Sequence, residues 1–395
     1  MPAWGILSPI INCQSSIINF RNFRPPLALF VTASLLVLLS ACSRRPAPPK
    51  PYLAFVASRD TQSVAAVDLA YFRAVASIPV VGRPDRVIVR PRSRQLWVVS
   101  AEGQISVIGF PELRVVQTRH VGSGARDLAF SPDGREVYYL NPAEGEIAFA
   151  DCDSLKVTAR VHVGAPLSSL ALSPDAKTLV AASSSSNRLY FVSAASRSLV
   201  GSVEVGKEPG AIVILPDSSK VLVADAGEQK ITAVDLASRQ VLSHIEIGAR
   251  PGALLLKPDG GELFVLCPQA STICIVDAFH DNVSQNIPAG REPAAAVIRR
   301  DSSVLYLANA GDGSVTTLDV QNRVVLAATQ VGKEPRALAL TPDERFLVVA
   351  DAAIASLAVL IAEPDRLAKM RSGLVTTIPV GAGPVDVVVP DWLRE

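Results

Sequence analysis

The sequence predicts an all-β fold made of eight copies of one short unit, and three recurring markers predict it. The first marker is a glycine that follows Val, Ile or Ala and returns roughly every 42 residues. Its members are Gly82, Gly122, Gly164, Gly206, Gly248, Gly290, Gly332 and Gly381.

The second and third markers keep the same period. A turn aspartate, mostly in a Pro-Asp pair, occurs at Asp133, Asp175, Asp217, Asp259, Asp301 and Asp343. The residue that ends an apolar run occurs at Ser58, Ser100, Asn141, Ser183, Asp225, Cys267, Asn309 and Asp351. Because three independent markers stay in register, they indicate one tandem repeat that fills most of the chain.

Each unit contains four short apolar runs separated by turn residues. An example is Ala337–Leu340, a Thr-Pro-Asp-Glu turn, and Phe346–Ala350. Such runs, rich in Val, Ile, Leu and Ala, are typical of β-strands joined by tight turns. Four strands in about 42 residues form the blade of a β-propeller. Since neighbouring blades cover both faces of the inner strands, the 49% hydrophobic content needs no membrane domain.

The two ends of the propeller are predicted to share one blade. Residues 52–80 supply only the second, third and fourth strands of a unit, and Val385–Val389 supplies the missing first strand. Pairing these segments in one sheet closes the ring and leaves no open edge between the ends. We therefore predict eight blades, with seven as the alternative if the unit near residues 82–121 packs irregularly.

The repeats resemble a known family. The segments Leu305–Asn309, Gly313–Asp319, Val331–Pro335 and Thr341–Asp343 are similar to the YVTN family of bacterial β-propeller repeats, a relative of WD40-like propellers. The resemblance covers roughly residues 52–392. It implies a propeller fold, and it says little about activity because one propeller scaffold serves many functions.

The first 41 residues are predicted to be a secretory signal. Arg21 and Arg24 precede an apolar run at residues 27–39, which is shorter than the roughly 20 residues of a membrane-spanning helix. The sequence Leu-Ser-Ala-Cys that ends at Cys42 resembles the lipobox of bacterial lipoproteins, which implies that Cys42 is lipidated. Residues 42–51 then form a Pro-rich tether, and residues 52–395 form the propeller.

The predicted signal sequence indicates a location in the bacterial cell envelope. The protein is expected to be exported and lipid-anchored, on the periplasmic side or at the cell surface, with the membrane as a partner through Cys42. Nucleic acid is not an expected partner, because 38 Lys and Arg balance 37 Asp and Glu. Four His and no closely spaced Cys pairs argue against a metal site, so we expect no metal and no cofactor.

The candidate ligand site lies where the innermost strands begin. The equivalent positions in successive units are Arg86, Arg126, Ser168, Gly210, Gly252, Ala294, Arg336 and Val385. Ring order places Arg336, Arg86 and Arg126 on one side of the channel mouth. These guanidinium groups are predicted to bind a carboxylate or a phosphate. The alternative is that they pair with neighbouring acids such as Asp127 and Asp386.

Other polar residues receive structural interpretations. The turn aspartates are expected to bond local amides, and no residue is predicted to be catalytic. Cys267 and Cys274 flank one hairpin, and the exported location would permit a disulfide between them.

Two functions remain open from the sequence. The main hypothesis is a non-catalytic binding or scaffold module for a protein or a cell-envelope polymer, held on the face away from the membrane. The alternative is a propeller enzyme, either a lactonase-like hydrolase or a quinone-dependent dehydrogenase, that uses the central channel.

Overall fold

The computed structural model describes residues 52–122, 127–164, 166–363 and 373–392. The chain divides into residues 1–49 and residues 50–395, and every described residue belongs to the second unit. The predicted signal peptide, the tether and Cys42 therefore lie outside the described residues. Among the residues described, no helix has the length and hydropathy needed to cross a membrane.

The described residues form eight antiparallel sheets of four strands each. Blade 8 contains β1 (Leu53–Ser58), β2 (Ser63–Asp68), β3 (Arg73–Pro79) and, from the far end of the chain, β32 (Pro384–Val388). Blade 1 contains β4 (Pro84–Val89), β5 (Gln95–Ser100), β6 (Gln104–Gly109) and β7 (Arg114–His120). Blade 2 contains β8 (Leu128–Phe130), β9 (Glu136–Asn141), β10 (Glu146–Asp151) and β11 (Val157–His162).

The next three blades follow in chain order. Blade 3 contains β12 (Ser169–Leu172), β13 (Thr178–Ser183), β14 (Arg188–Ser193) and β15 (Ser198–Glu204). Blade 4 contains β16 (Pro209–Ile214), β17 (Lys220–Asp225), β18 (Lys230–Asp235) and β19 (Val241–Glu246). Blade 5 contains β20 (Leu254–Leu256), β21 (Glu262–Cys267), β22 (Thr272–Asp277) and β23 (Asn282–Pro288).

Two further blades complete the ring. Blade 6 contains β24 (Pro293–Ile298), β25 (Val304–Asn309), β26 (Ser314–Asp319) and β27 (Val324–Gln330). Blade 7 contains β28 (Pro335–Leu340), β29 (Phe346–Asp351), β30 (Ser356–Ile361) and β31 (Leu374–Pro379). The fold is thus an all-β, eight-bladed propeller, as predicted. The seven-bladed alternative is wrong, because blade 1 is as regular as the others.

Blade 8 joins the two ends of the propeller. Its strand order is β3-β2-β1-β32, so the C-terminal strand is the innermost one. In the antiparallel register, Phe55 lies opposite Val388 and Val56 opposite Val387. The predicted ring closure is confirmed.

The core is divided into eight apolar clusters, one between each pair of neighbouring blades. Between blades 8 and 1, for example, Phe55 and Val64 pack with Val98. Trp97, on the other face of β5, is fully buried between blades 1 and 2. Because both faces of the central strands enter such clusters, their apolar runs are continuous rather than alternating.

The glycine marker and the third marker contact each other inside each blade where the contact is resolved. A Cβ on Gly206 would lie 2.6 Å from the Asp225 carboxyl carbon, and a Cβ on Gly290 would lie 2.4 Å from the Asn309 amide carbon. All eight residues of the third marker are buried. In six of the eight units the third-marker side chain therefore fills the space that its glycine leaves open, and only Gly164 and Gly248 have no atom this close.

The turn aspartates hold their turns, as predicted. Asp133 Oδ1 accepts hydrogen bonds from the Ser131 hydroxyl at 2.6 Å and from the Arg135 N–H at 3.1 Å. These bonds lower the pKa of Asp133. Asp175 receives the same pair of bonds from Ser173 and Lys177.

The ring has two distinct faces. The innermost strands begin at one face, here called the mouth face, where Pro84, Pro335 and Pro384 lie. They end at the opposite face, here called the far face. Because β1 runs antiparallel to β32, the described chain enters the propeller at Leu53 on the far face, as the sequence predicts.

Candidate functional site

A cavity of about 670 Å³ occupies the mouth face. It draws residues from blades 1, 2, 6, 7 and 8, so it extends across the ring rather than along one blade. Its lining consists of Arg59, Asp60, Asp85, Arg86, Asp127, Ala294, Glu334, Arg336, Ala352, Gly383 and Val385. The central opening of the propeller therefore offers a polar concave surface to a ligand.

Arg86 links two blades at this cavity. It lies near the start of β4, and its Nη1 donates to Asp127 Oδ1 of blade 2 at 3.1 Å. The Arg86 side chain is half exposed and that of Asp127 about a quarter exposed. The same guanidinium acts electrostatically on Asp386 of β32. One cation thus stands between two carboxylates from the blades on either side.

Asp386 is the acid with the most unusual surroundings in this group. Its Oδ2 accepts a hydrogen bond from the Val87 N–H of blade 1 at 2.9 Å, and its Oδ1 accepts one from the Val387 N–H at 2.9 Å. Burial raises the pKa of Asp386, although the neighbouring Arg86 and both amides act in the opposite direction. A buried carboxyl with a raised pKa that lies beside an arginine is a candidate functional group.

The other arginines of the cavity are also paired. Arg59, from the turn between β1 and β2, contacts Asp85 of blade 1. Arg336, on β28, contacts Glu334, two residues before it. Each described arginine that lines the mouth cavity therefore has a carboxylate neighbour. Of the pairings that the sequence analysis left open, the structure contains that of Arg86 with Asp127.

The predicted arginine cluster is brought together only in part. Arg86 and Arg336 line the same cavity, whereas Arg126 lies outside the described residues. Arg59 and Asp60 were missed, because the prediction considered only the starts of the innermost strands. Both directly follow Ser58 of the third marker, so including the residues after that marker would have found them.

The charge of the described lining is not cationic. Three arginines face the four acids Asp60, Asp85, Asp127 and Glu334. An incoming anion would therefore share these arginines with their carboxylate partners. The candidate anion site at Arg86, Arg126 and Arg336 stays a prediction.

The opposite side of the channel is lined by small residues. Ala294 reaches the mouth cavity, and Gly252 and Ala294 line a neighbouring depression of about 640 Å³ that also contains Glu334 and Arg336. Ser168 instead bonds to backbone carbonyls, including that of Pro209 at 3.1 Å. Small residues therefore leave room beside the charged groups of the mouth for the body of a ligand.

The four histidines lie away from the mouth cavity. His120 and His162 end the outer strands β7 and β11, His244 lies in β19, and His280 lies in the turn after β22. Within the described ranges, no three His, Cys, Asp or Glu side chains come together as metal ligands would.

The predicted disulfide is not formed. Cys267 and Cys274 are both buried free thiols. Cys267 lies opposite Thr272, and Cys274 lies opposite Val265, so the two cysteines are diagonal neighbours instead of a direct cross-strand pair. Burial raises the pKa of the Cys267 thiol to about 11 and that of Cys274 to about 12, which makes both unreactive.

One family model matches part of the chain. Residues 276–368, which run from blade 5 into the segment after β30, match the family described as "Lactonase, 7-bladed beta-propeller". No curated protein matches the chain significantly.

Solved structures share the fold at low identity. The dihydro-heme d1 dehydrogenase NirN, in complex with DHE, is 17% identical with a TM-score of 0.72, over 87% of this chain and 76% of that one. The Kuenenia stuttgartiensis hydrazine synthase is 19% identical with a TM-score of 0.54, over 70% and 96%. A functionally unknown protein from Desulfotomaculum acetoxidans DSM 771 is 14% identical with a TM-score of 0.58, over 75% and 99%.

These matches correct the function predicted from the sequence. The main hypothesis, a non-catalytic binding or scaffold module, is wrong, because residues 276–368 match a family of lactonases. The alternative, a propeller enzyme, is the better supported one. The sequence analysis placed it second, because no catalytic motif occurs along the chain.

A haem held through its iron does not fit the described mouth. Such a haem needs an axial His, Cys, Met or Tyr. The described residues that line the mouth cavity include none of these. We therefore derive no chemical step through a haem.

Proposed function

We propose that this protein is a hydrolase that opens a lactone or a related ester at the mouth of the central channel. The observation that carries the proposal is the group formed by Arg86, Asp127 and Asp386. It combines a cation, an acid paired with it, and a second acid whose pKa is raised. The lactonase match over residues 276–368 supports the same reaction class.

In the proposed reaction, Asp386 is the general base. As its ionised form accepts a proton from a water molecule, the water oxygen attacks the acyl carbon of the substrate. When the bond between the acyl carbon and the ring oxygen breaks, the proton passes from Asp386 to that oxygen and a hydroxy acid forms. A raised pKa suits this role, because proton transfer is most efficient near the working pH.

Arg86 is proposed to stabilise the developing oxyanion. Its guanidinium is fixed by the bond to Asp127, so one edge is held while the rest of the fork stays available to a ligand. A donor that is already oriented costs no reorganisation in the transition state. The ion pairs at Arg59 and Arg336 are proposed to orient the remaining polar groups of the substrate.

The test is hydrolysis of a panel of γ- and δ-lactones by the purified full-length chain, followed by acid release at constant pH. Asp386→Asn keeps the shape of the side chain but removes the base, and we expect kcat to fall by about 10² to 10⁴. The matched control is Asp259→Asn, which changes an acid in a turn on the far face and should leave kcat unchanged. A pH profile adds a second readout: kcat/KM should rise with pH through a pKa above the usual aspartate range.

Two results would contradict the proposal. One is the absence of hydrolysis with every lactone of the panel. The other is an Asp386→Asn variant that retains the activity and pH profile of the wild type.

We further propose that the repeats are of the YVTN type and that the protein is anchored in the cell envelope through a lipid on Cys42, with the mouth face away from the membrane. The proposal is supported by the signal sequence and by the entry of the chain at Leu53 on the far face. Mass spectrometry of the mature N-terminus tests it. An unmodified Cys42 in the exported protein would exclude the anchor.

A further inference from the structure

A second cavity, of about 680 Å³, lies on the far face and belongs to no part of the proposed hydrolase site. It is formed by the turn between β4 and β5, residues 89–94, and by Asp391 and Trp392 after β32. This turn has the sequence Val-Arg-Pro-Arg-Ser-Arg, so it brings three guanidinium groups to one short segment.

One of the three arginines is structural. Arg90 is 8% exposed, and its Nη1 donates to Asp153 of blade 2 at 2.7 Å. Its Nε donates to the Gly134 carbonyl at 2.7 Å. The charge of Arg90 is therefore neutralised, and its bonds fix the turn against the neighbouring blade.

The other two arginines are exposed and free of acids. In the described part of the chain, neither Arg92 nor Arg94 has a carboxylate within ion-pair distance. The turn that carries them is rigid, because the Ser93 hydroxyl donates to the Arg90 carbonyl at 3.2 Å. In the mouth cavity, by contrast, each described arginine has a carboxylate neighbour. The far cavity thus holds two cations that no described protein group neutralises.

The remaining lining consists of apolar side chains, Ser93 and one acid. Trp392 stacks on Phe110 with a ring distance of 6.0 Å and an interplanar angle of 26°. Val89 and Pro91 complete this wall, and Asp391 is the single acid among the described lining residues. With Arg90 neutralised by Asp153, the described lining keeps a net charge of one positive unit, from Arg92 and Arg94 against Asp391.

We propose that this cavity binds a phosphate group through Arg92 and Arg94. Guanidinium groups present planar forks of N–H donors that match phosphate oxygens in pairs. A singly charged phosphate balances the net charge of the lining. The far face is where the chain enters the propeller at Leu53, so the phosphate can come from a phospholipid headgroup or from a free phosphate in solution.

The experiment measures the two sources separately with the purified full-length chain carrying Cys42→Ser, so that no lipid on residue 42 attaches the protein to vesicles. Inorganic phosphate is titrated by calorimetry. Flotation is measured with phosphatidylcholine vesicles that contain or lack phosphatidylglycerol. The test variant is Arg92→Gln/Arg94→Gln, and the matched control is Arg73→Gln/Arg135→Gln, which removes two exposed arginines from the same face but outside the cavity.

We expect binding in at least one arm, with a loss of about tenfold or more in the test variant and little change in the control. Binding of inorganic phosphate identifies a free phosphate ligand, and binding only to phosphatidylglycerol vesicles identifies a lipid headgroup. The proposal is overturned if neither probe binds. It is also overturned if the control loses as much affinity as the test variant, since the effect would then be one of general charge. Circular dichroism of each variant checks that the fold is intact.

Discussion

Lys220 provides a sharp test of how neighbouring blades are held together. It lies at the start of β17 in blade 4, and its side chain is 11% exposed. Its Nζ donates to Asp281 Oδ1 of blade 5 at 2.6 Å and to the carbonyls of Ala278 at 3.0 Å and Phe279 at 3.3 Å. One ammonium group thus satisfies three acceptors of the next blade.

We expect Lys220→Met to destabilise the protein by about 3 to 5 kcal/mol. The substitution keeps the apolar stem but leaves Asp281, which is 15% exposed, as an unpaired buried charge. The free energy of unfolding is measured by equilibrium urea denaturation, followed by circular dichroism. Since replacing both members of a buried pair by apolar residues is often neutral, Lys220→Met/Asp281→Leu should recover part of the loss.

The matched control is Lys177→Met. The Lys177 side chain is 79% exposed, and its Nζ lies 3.4 Å from Asp175, so its loss should cost less than about 1 kcal/mol. If Lys220→Met costs no more than Lys177→Met, the argument that burial sets the value of this pair is refuted.

Two further predictions concern buried polar and glycine positions. Burial raises the pKa of Asp225 from its usual 3.8 to about 6. Between these two values the folded state holds a proton that the unfolded state has lost, so the free energy of unfolding should fall by about 2 kcal/mol between pH 4 and pH 7. Asp225→Asn introduces the residue found at the equivalent Asn141 and should remove this dependence of stability on pH, measured as urea midpoints across that range. If the variant keeps the pH dependence of the wild type, another group is responsible. Gly134→Ala should lower the thermal midpoint by several degrees, because the new Cβ would lie 2.2 Å from the Pro91 carbonyl oxygen of blade 1. The counterpart is Ala176→Gly, at the equivalent turn position, where φ is 59°; it should change the thermal midpoint only slightly. If the two substitutions change the midpoint equally, the contact with Pro91 is not the cause.

The repeat pattern predicted the fold to the level of individual strands. Each marker reflects a local requirement of the blade. The glycine leaves space beside a buried side chain, the turn aspartate accepts the hydrogen bonds of a turn, and the third marker ends a strand. Gly206 and Asp225 illustrate the first requirement, and Asp133 with Ser131 the second. Local requirements repeat along the chain wherever the blade repeats, so a single sequence displays them.

The mouth could be predicted only in part. Arg86 and Arg336 were found because they occupy one position of the repeat. Arg59 was missed because it belongs to another position, and its pairing with Asp85 joins segments 26 residues apart. The raised pKa of Asp386 depends on its burial next to Val87, nearly 300 residues away in the chain. No spacing along the sequence encodes such a distance.

The sequence by itself determined the blade, the number of blades and the way in which the ring closes. These follow from periodicity and from the need to pair every inner strand, which are properties of the chain in order. Only the tertiary structure decided which charges meet at the mouth, which arginines of the far face stay unpaired, and that Cys267 and Cys274 lie diagonally in their hairpin. The physical reason is that charge pairing and burial depend on distances between blades, and those distances are set by how side chains pack once the ring has closed.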